Sequence, residues 1–333
     1  MPEGRLHEDV RALPAVAASA CMEQGTTTSI DRHLTAVSVV IVNFNAGDML
    51  DAAVESALST TGAAVDVVVV DNASTDTSLD IVRTKAIASA NLKVIVNDQN
   101  TGFARACNIG TNAVSGAWVL YLNPDCVIAP LAIQKMLEAA AFRDDVGMVG
   151  GFLMNPDGSE QVGGRRAVPT PWRSLVRVLN LGRKLGSIYP RLFSDFLLHT
   201  EPLPTLPIEV EAISGACMLV RRSALEKVGM LDERYFLHCE DLDWCMRFRE
   251  AGLKILFVPS AKVTHHKGRC SADRPVFVEW HKHRGMIRFY RKFFRHQYPG
   301  ALMLAVAATV WIRFAAKVVV IQSARARRSL FLQ

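Results

Sequence analysis

Val37-Ser-Val-Val-Ile-Val42 is a run of mainly β-branched residues that stops abruptly at Asn43-Phe-Asn-Ala-Gly-Asp48. Its unbroken apolar character predicts a strand covered on both faces, as in a parallel sheet. The polar, glycine-containing stop predicts a turn at the strand's carboxyl end, and residues 49–59 then read as helix. The same unit recurs. Residues 65–70 read as a second buried strand ending in Asp71-Asn-Ala-Ser-Thr-Asp76, with helix to about residue 88. Residues 92–96 are a third strand, 97–101 are polar, and 102–114 read as helix. Residues 117–122 are a fourth strand ending in Asn123-Pro-Asp125, followed by helix over 130–142 and a short strand over 147–151. Strands alternating with helices predict a parallel, doubly wound α/β sheet. Such sheets bind ligands at the carboxyl ends of their strands. Asn43, Asp71, Asn97 and Asp125 all lie just past strand ends, so one crevice can contain them all.

This half has no G-x-G-x-x-G after its first strand and no G-x-x-x-x-G-K-[ST], which argues against dinucleotide chemistry and P-loop chemistry. Asp71 by itself reads as a turn former or a ligand. Asp125 follows Pro124 and reads as a turn residue or as a carboxylate for one divalent cation.

Residues 151–207 change character: Gly163-Gly-Arg-Arg166, Pro169-Thr-Pro171, Arg173, Arg177, Arg183 and Lys184. Leu175, Val178, Leu179 and Leu185 would share one apolar face of a basic helix. The stretch reads as a surface insertion with one packed helix, or as a mobile flap over an acceptor or lipid surface. Residues 208–214 read as a strand and 215–220 as another apolar run.

Next comes Arg234-Tyr-Phe-Leu-His-Cys-Glu-Asp-Leu-Asp-Trp-Cys-Met-Arg247. Glu240, Asp241 and Asp243 crowd the start of a helical pattern whose apolar stripe is Leu242, Cys245 and Met246. Acidic groups in a first turn are stabilised by the helix dipole, and Asp243 with Arg247 at i, i+4 reads as a surface ion pair. Glu240 and Asp241 follow an aromatic run that reads as a buried wall, where a carboxylate can act as general base; structural charge clusters share this pattern. Residues 254–258 and 261–264 read as strands, the second delivering His265-His266. Adjacent residues on a strand point to opposite faces, so at most one of the two faces the cleft, as metal ligand or as structural residue.

The chain has 333 residues, half of them apolar, and a formal net charge of +6. Residues 281–333 contain no Asp or Glu and carry +11, which leaves −5 on everything before them. A basic tail on a mildly acidic body predicts an anionic surface as partner. Residues 279–296 read as a basic, aromatic helix, separated by Pro299-Gly300 from an apolar run over 301–321 long enough to span a bilayer. Thr309, Arg313 and Lys317 recur there as a narrow polar stripe. Charges near mid-span are costly, which favours an amphipathic helix at the membrane interface. Packing on the protein's own sheet or on a second copy, as a homodimer, is the alternative. No nucleic-acid motif accompanies the tail, so nucleic acid is not an expected partner. The seven cysteines show no C-x-x-C spacing and read as reduced, mostly buried thiols of a cytosolic protein. Residues 1–35 lack a basic start followed by an apolar core and read as a flexible lead-in.

Taken together, these motifs resemble the inverting family 2 glycosyltransferases of GT-A fold, and within them the bacterial rhamnosyltransferases of cell-surface polysaccharide assembly. The matching stretches are residues 37–45, Val70-Asp-Asn-Ala-Ser-Thr-Asp76, Asn100-Thr-Gly-Phe-Ala-Arg-Ala-Cys-Asn-Ile-Gly110, Leu122-Asn-Pro-Asp125, Ser214-Gly-Ala-Cys-Met218, 236–247 and His265-His-Lys-Gly268. They come in the family's order and fall within residues 36–270, leaving 271–333 as a basic helical region for membrane association. The resemblance implies a Rossmann-like, mixed, mainly parallel sheet with helices on both faces.

It also implies site residues. Asn43, Asn45, Asp71, Asn72 and Asp76 become contacts of the donor's base and ribose, with Gly102, Arg105, Asn108 and Asn123 also on the donor. Arg105 reads equally as a helix-surface residue. Asn123-Pro-Asp125 stands at the family's D-x-D metal motif with Asn for the first Asp, so Asp125 becomes the main carboxylate on Mg²⁺ or Mn²⁺. His265, rather than His266, completes the metal and diphosphate site. Asp241 becomes the catalytic base, with Glu240 beside it. Asp243, Trp244, Arg247 and His266 become acceptor contacts or structural support.

That chemistry suits those residue types. A divalent cation neutralises a leaving diphosphate, and a carboxylate can take the acceptor hydroxyl's proton. One base and direct displacement imply inversion, with no carboxylate nucleophile of the retaining-glycosidase kind. The implied reaction moves L-rhamnose from dTDP-rhamnose to a polyprenyl-diphosphate-linked saccharide at the cytoplasmic face of the inner membrane. A UDP- or GDP-hexose donor is the rival within the fold, since Asp71 can pair with uracil or thymine. A sugar-phosphate nucleotidyltransferase would need a Gly-rich basic loop after the first strand, which Asn43-Phe-Asn-Ala-Gly-Asp48 is not. A non-catalytic nucleotide-sugar-binding scaffold would have no need of Asp125, Asp241 and His265 together.

Overall fold

A computed structural model describes residues 35–179, 181, 188–193, 196–266, 268 and 274–331. The expected lead-in, up to residue 34, lies outside these residues, as do Arg183, Lys184, Leu185 and Lys267. The strands are β1 (Ala36–Asn43), β2 (Ala64–Asp71), β3 (Leu92–Val96), β4 (Trp118–Leu122), β5 (Cys126–Ile128), β6 (Val146–Met154), β7 (Arg165–Arg166), β8 (Ile208–Glu209), β9 (Ala212–Ile213), β10 (Cys217–Arg221) and β11 (Lys254–His265). The helices are α1 (Met49–Leu58), α2 (Ser78–Ala88), α3 (Phe103–Asn112), α4 (Ala132–Ala140), α5 (Pro171–Val178), α6 (Pro190–Phe193), α7 (Arg222–Val228), α8 (Glu240–Glu250), α9 (Pro275–Phe293) and α10 (Gly300–Phe331).

Nine strands form one sheet in the order β3-β2-β1-β4-β10-β6-β11-β5, with β8 also on β11. β1 to β4 pair in parallel, as do β6 and β11, whereas β10 runs antiparallel to both its neighbours. The strand order turns back at β1, between β2 and β4, which opens a crevice at their carboxyl ends. Side chains along β1 alternate between the two faces. Val37, Val39 and Ile41 pack with Leu50 and Val54 of α1 and Ile133 and Met136 of α4. Val40 and Val42 belong to the opposite layer, with Ala104 and Cys107 of α3 and Trp244 and Cys245 of α8. Each such fully buried Val or Leu contributes roughly 1.5–3 kcal/mol.

Several segments depart from the sequence expectation. The two strands expected over 254–264 are one, β11, whose register slips between Val258 and Lys262. Pro259 cannot donate to the ladder, so the irregularity falls there. The strand expected over 208–214 is two pieces in different sheets: β8 pairs with β11 and β9 with β7. Between them the Glu211 carboxylate accepts from the Val168 N–H and the Arg173 guanidinium, which draws the chain away from β11. The apolar face expected of residues 175–185 is corrected at α5. Val176 is the buried residue, while Val178 and Leu179 face outward. β5, β7 and α7 were not anticipated; the first two are too short to show a periodicity.

α9 packs on the α3/α8 side through Ile287, Phe289, Tyr290 and Phe293. Among the described residues α10 packs mainly on α9 and α5. Only its first part reaches the core, at Val306, while Leu304, Ile312, Val319 and Val320 are exposed. Residues Gly300–Arg327 are long and apolar enough to cross a membrane. The five cysteines among the described residues are buried and unbridged.

Candidate active site

The crevice begins at the ends of β1 and β2. Asn43 is fully buried, and its Nδ2 donates to Asp71 Oδ1 (2.7 Å) and Ser78 Oγ (2.8 Å). Asp71 also accepts from the Ser74 N–H and hydroxyl. Asn45 adopts a positive φ of 52° and accepts the Thr75 N–H, while Asp76 accepts the Gly47 N–H and the Ser78 hydroxyl. These bonds tie the turn after β1 to the turn after β2. Asn43 Oδ1 is the buried atom left without a partner there.

Asn72 ties this rim to the next loop. Its Oδ1 accepts from Asn97 Nδ2 and the Thr101 hydroxyl, and its Nδ2 donates to the Gly102 carbonyl. At the start of α3 the Phe103 N–H goes to the Phe236 carbonyl, so this helix N-terminus is partly closed by protein. Asn108 is buried on α3. It brackets the Leu231 N–H and carbonyl and reaches Glu233. Arg105 is largely exposed, 3.9 Å from Glu233. Asn123 uses its backbone, donating to the Ala216 carbonyl.

At the end of β4, Asp125 is buried and its Oδ1 lies 3.1 Å from His265 Nε2 at the end of β11. The other ring nitrogen, Nδ1, meets Gln161 Oε1 at 2.6 Å. Gln161 Nε2 donates to the His265 carbonyl and to Asn155 Oδ1, which fixes its oxygen toward the ring. Nδ1 therefore carries a hydrogen, and in the neutral ring Nε2 turns a lone pair toward a carboxylate oxygen. Two electron-rich atoms at that spacing call for a cation or a proton between them, so the pair fits a metal ion. Asp125, Cys126 and His265 offer ligand atoms within 4.8 Å of one another. The Cys126 thiol is directed at the Ala216 carbonyl, and oxygen and nitrogen suit Mg²⁺ or Mn²⁺ better than sulfur does. Only the backbone N–H of His266 joins in, bonded to the Asp125 carbonyl.

α8 starts after two successive non-glycine residues at positive φ, His238 (66°) and Cys239 (70°). Asp241 Oδ2 accepts the Gly215 N–H and pairs with the Arg166 guanidinium, and Oδ1 accepts the Leu242 N–H. Arg166 is anchored in turn by the Ile213 carbonyl. Glu240 is buried, and its Oε2 has no partner. Burial, and next the neighbouring Asp241, push its carboxyl up to about 8. The surface ion pair expected of Asp243 and Arg247 is corrected: Asp243 is fully buried, bound by Arg247 (2.8 Å) and by Lys292 of α9 (2.5 Å). Trp244 is core, against Tyr121 and Phe248, with its indole N–H on the Gly229 carbonyl. Asp243, Trp244 and Arg247 thus hold α8 in place. Gln161 and Arg166 escaped the sequence reading. Both lie in the irregular stretch after β6, where no spacing marks them; Arg166 stood out only as one of several basic residues.

The sequence model described as "Glycosyl transferase family 2" matches residues 38–229, more than half of the chain. The chain belongs to glycosyl transferase family 2. This glycosyltransferase is 32% identical over 249 residues to the N-acetylglucosaminyl-diphospho-decaprenol L-rhamnosyltransferase of Mycobacterium tuberculosis, covering 72% of this chain and 78% of that one. Its fold is similar to the crystal structure of GalNAc-T7 with UDP, GalNAc and Mn²⁺ (TM-score 0.53, 19% identity), over 71% of this chain and 44% of that one. It is also similar to a mannosyltransferase from Pyrobaculum calidifontis in complex with GDP-Man and Mn²⁺ (TM-score 0.53, 16% identity), over 88% and 80% of the two chains. The architecture is that of the GT-A glycosyltransferases.

Proposed function

We propose that this glycosyltransferase moves L-rhamnose from dTDP-rhamnose to a polyprenyl-diphosphate-linked saccharide, with inversion at the anomeric carbon. The likeness to the mycobacterial rhamnosyltransferase over most of both chains carries this reading. The site geometry supports the mechanism. The turns built by Asn43, Asn45, Asp71 and Asp76, with Asn72 behind them, receive the nucleoside. Asp125 and His265, oriented by Gln161, would hold Mg²⁺ or Mn²⁺. An ion held there would supply positive charge to neutralise a leaving diphosphate.

Asp241 takes the proton of the acceptor hydroxyl as that oxygen attacks. Arg166 and the Gly215 N–H fix its orientation through Oδ2, and Oδ1, which accepts the Leu242 N–H, keeps a second lone pair for the incoming proton. Glu240 is the partner of Asp241, not a second base: near neutral pH its carboxyl holds a proton and can donate to a sugar hydroxyl. The exposed apolar face of α10 and the basic tail hold the enzyme at the cytoplasmic face of the inner membrane.

Calorimetric titration with dTDP-rhamnose, UDP-glucose, UDP-galactose and GDP-mannose, each with Mn²⁺ and with EDTA, tests the donor. Metal-dependent binding of dTDP-rhamnose alone is expected. Preference for a UDP- or GDP-sugar would replace the sugar in this reading.

A further inference from the structure

A cleft of about 770 Å³ lies between α9, Trp311 of α10 and the 234–236 segment that leads into α8. Arg284, Arg288, Arg291 and Lys292 line it from one side of α9, with Phe236 and Trp311 as aromatic walls. The spacing 284, 288, 291, 292 puts these four cations on one helix face. Their charge is only partly balanced. Asp232 is shared by Arg234, Arg288 and Lys292, and Asp243 by Arg247 and Lys292. Arg284 and Arg291 make no ion pair among the described residues. The cleft therefore has a positive excess inside low-dielectric walls, which concentrates anions.

Its position ties it to the reaction. Phe236, on its wall, accepts the Phe103 N–H beside the donor crevice. A Cβ on Gly285 would lie 3.0 Å from the His238 carbonyl and 3.2 Å from Cys239 Sγ, so α9 sits directly against the two residues before Glu240 and Asp241. From the cleft, Trp311 leads to Trp280 and Phe314 and onto the exposed apolar side of α10.

We propose that this cleft binds the diphosphate of the lipid acceptor, with Arg284 and Arg291 as its free cationic ligands and α10 as the track for the prenyl chain. This rests on the reading of the chain as a transferase onto lipid-linked saccharides. A sugar on that diphosphate would lie between the cleft and Asp241. Guanidinium pairs are suited to bidentate phosphate contacts. The shared chemistry of acceptor and membrane is a phosphate ester beside an acyl or prenyl chain, so the test separates the two.

Farnesyl diphosphate is titrated into the full chain in detergent micelles with EDTA present, which removes the metal-dependent donor site. The double variant Arg284→Gln/Arg291→Gln is expected to bind it about tenfold or more weakly, given the usual worth of a hydrogen bond to a charged group. Lys93→Gln, a charge change on the exposed edge strand β3, is expected to bind as the parent does. Partition onto phosphatidylcholine vesicles, which carry no net charge and so leave out the general attraction between a basic tail and anionic lipid, is expected to be equal for parent and double variant. Unchanged affinity in the double variant, an equal loss in Lys93→Gln, or vesicle partition falling in step with the farnesyl diphosphate affinity would each overturn the proposal. The titration involves no sugar donor, so failure of the dTDP-rhamnose reading would leave its outcome intact.

Discussion

Glu240 and Asp241 are neighbours in the chain with opposite surroundings, and that difference underlies the roles proposed for them. Asp241 faces a guanidinium and two backbone N–H groups, while Glu240 has an unpartnered Oε2 in the protein interior. A buried carboxyl that keeps its proton beside a charge-paired carboxylate can divide acid and base roles with it. The shift of Glu240 is also a statement about stability. Its folded value of about 8 lies above the ordinary 4.5, so the folded chain keeps a proton that the unfolded chain has lost. Its contribution to stability is full below 4.5 and is lost as pH rises through about 8. Glu240→Gln stays neutral, so its Tm is expected to fall less than the parent's between pH 5.5 and 8.5; parallel profiles would contradict the assignment. The acidic pair, Asp125 and the two histidines were legible as residue types at strand and helix ends. Gln161 and Arg166 were not, because an amide and an arginine in an irregular stretch carry no periodic signal. What makes them part of the site is where the chain returns, and that depends on tertiary packing.

Among the elements, the β-branched runs of β1, β2 and β4 were readable because burial on both faces demands continuous apolar sequence. β11 was read as two strands because Pro259 is ambiguous between a break and a bulge. α8 was readable from its stripe, but not its entry through His238 and Cys239, which occupy a region that costs on the order of 1–3 kcal/mol for each residue without a glycine's freedom. The start of α3 shows the converse. Gly102 has φ +86°, and a Cβ there would meet the Phe236 carbonyl oxygen at 2.7 Å. Gly102→Ala is expected to lower stability by about 1–3 kcal/mol, read from the denaturant midpoint. It should also loosen the contact between α3 and the segment before α8; an unchanged midpoint would show that the contact relaxes freely.

At the scale of the whole molecule, the sheet sets a crevice at the carboxyl ends of β1, β2 and β4, and α9 sets a basic cleft against the residues that precede α8. α10 adds an apolar surface continuous with that cleft. The sequence showed the tail's charge and the length of its apolar run, but a pattern alone could not distinguish packing on the sheet from packing on α9. Deleting residues 297–333 is expected to move the protein from the membrane to the soluble fraction of lysed cells, and an unchanged distribution would contradict the role given to α10. The central claim, inverting rhamnosyl transfer with Asp241 as base, has a direct test. The full chain is incubated with dTDP-rhamnose and a short-chain prenyl-diphosphate-linked N-acetylglucosamine, and the product's anomeric configuration is read by NMR for parent and Asp241→Asn. The account predicts the configuration opposite to the donor's, and a rate lower by roughly 10²–10⁴-fold in the variant with donor binding intact. Retained configuration, or a variant that transfers at the parent's rate, would contradict it.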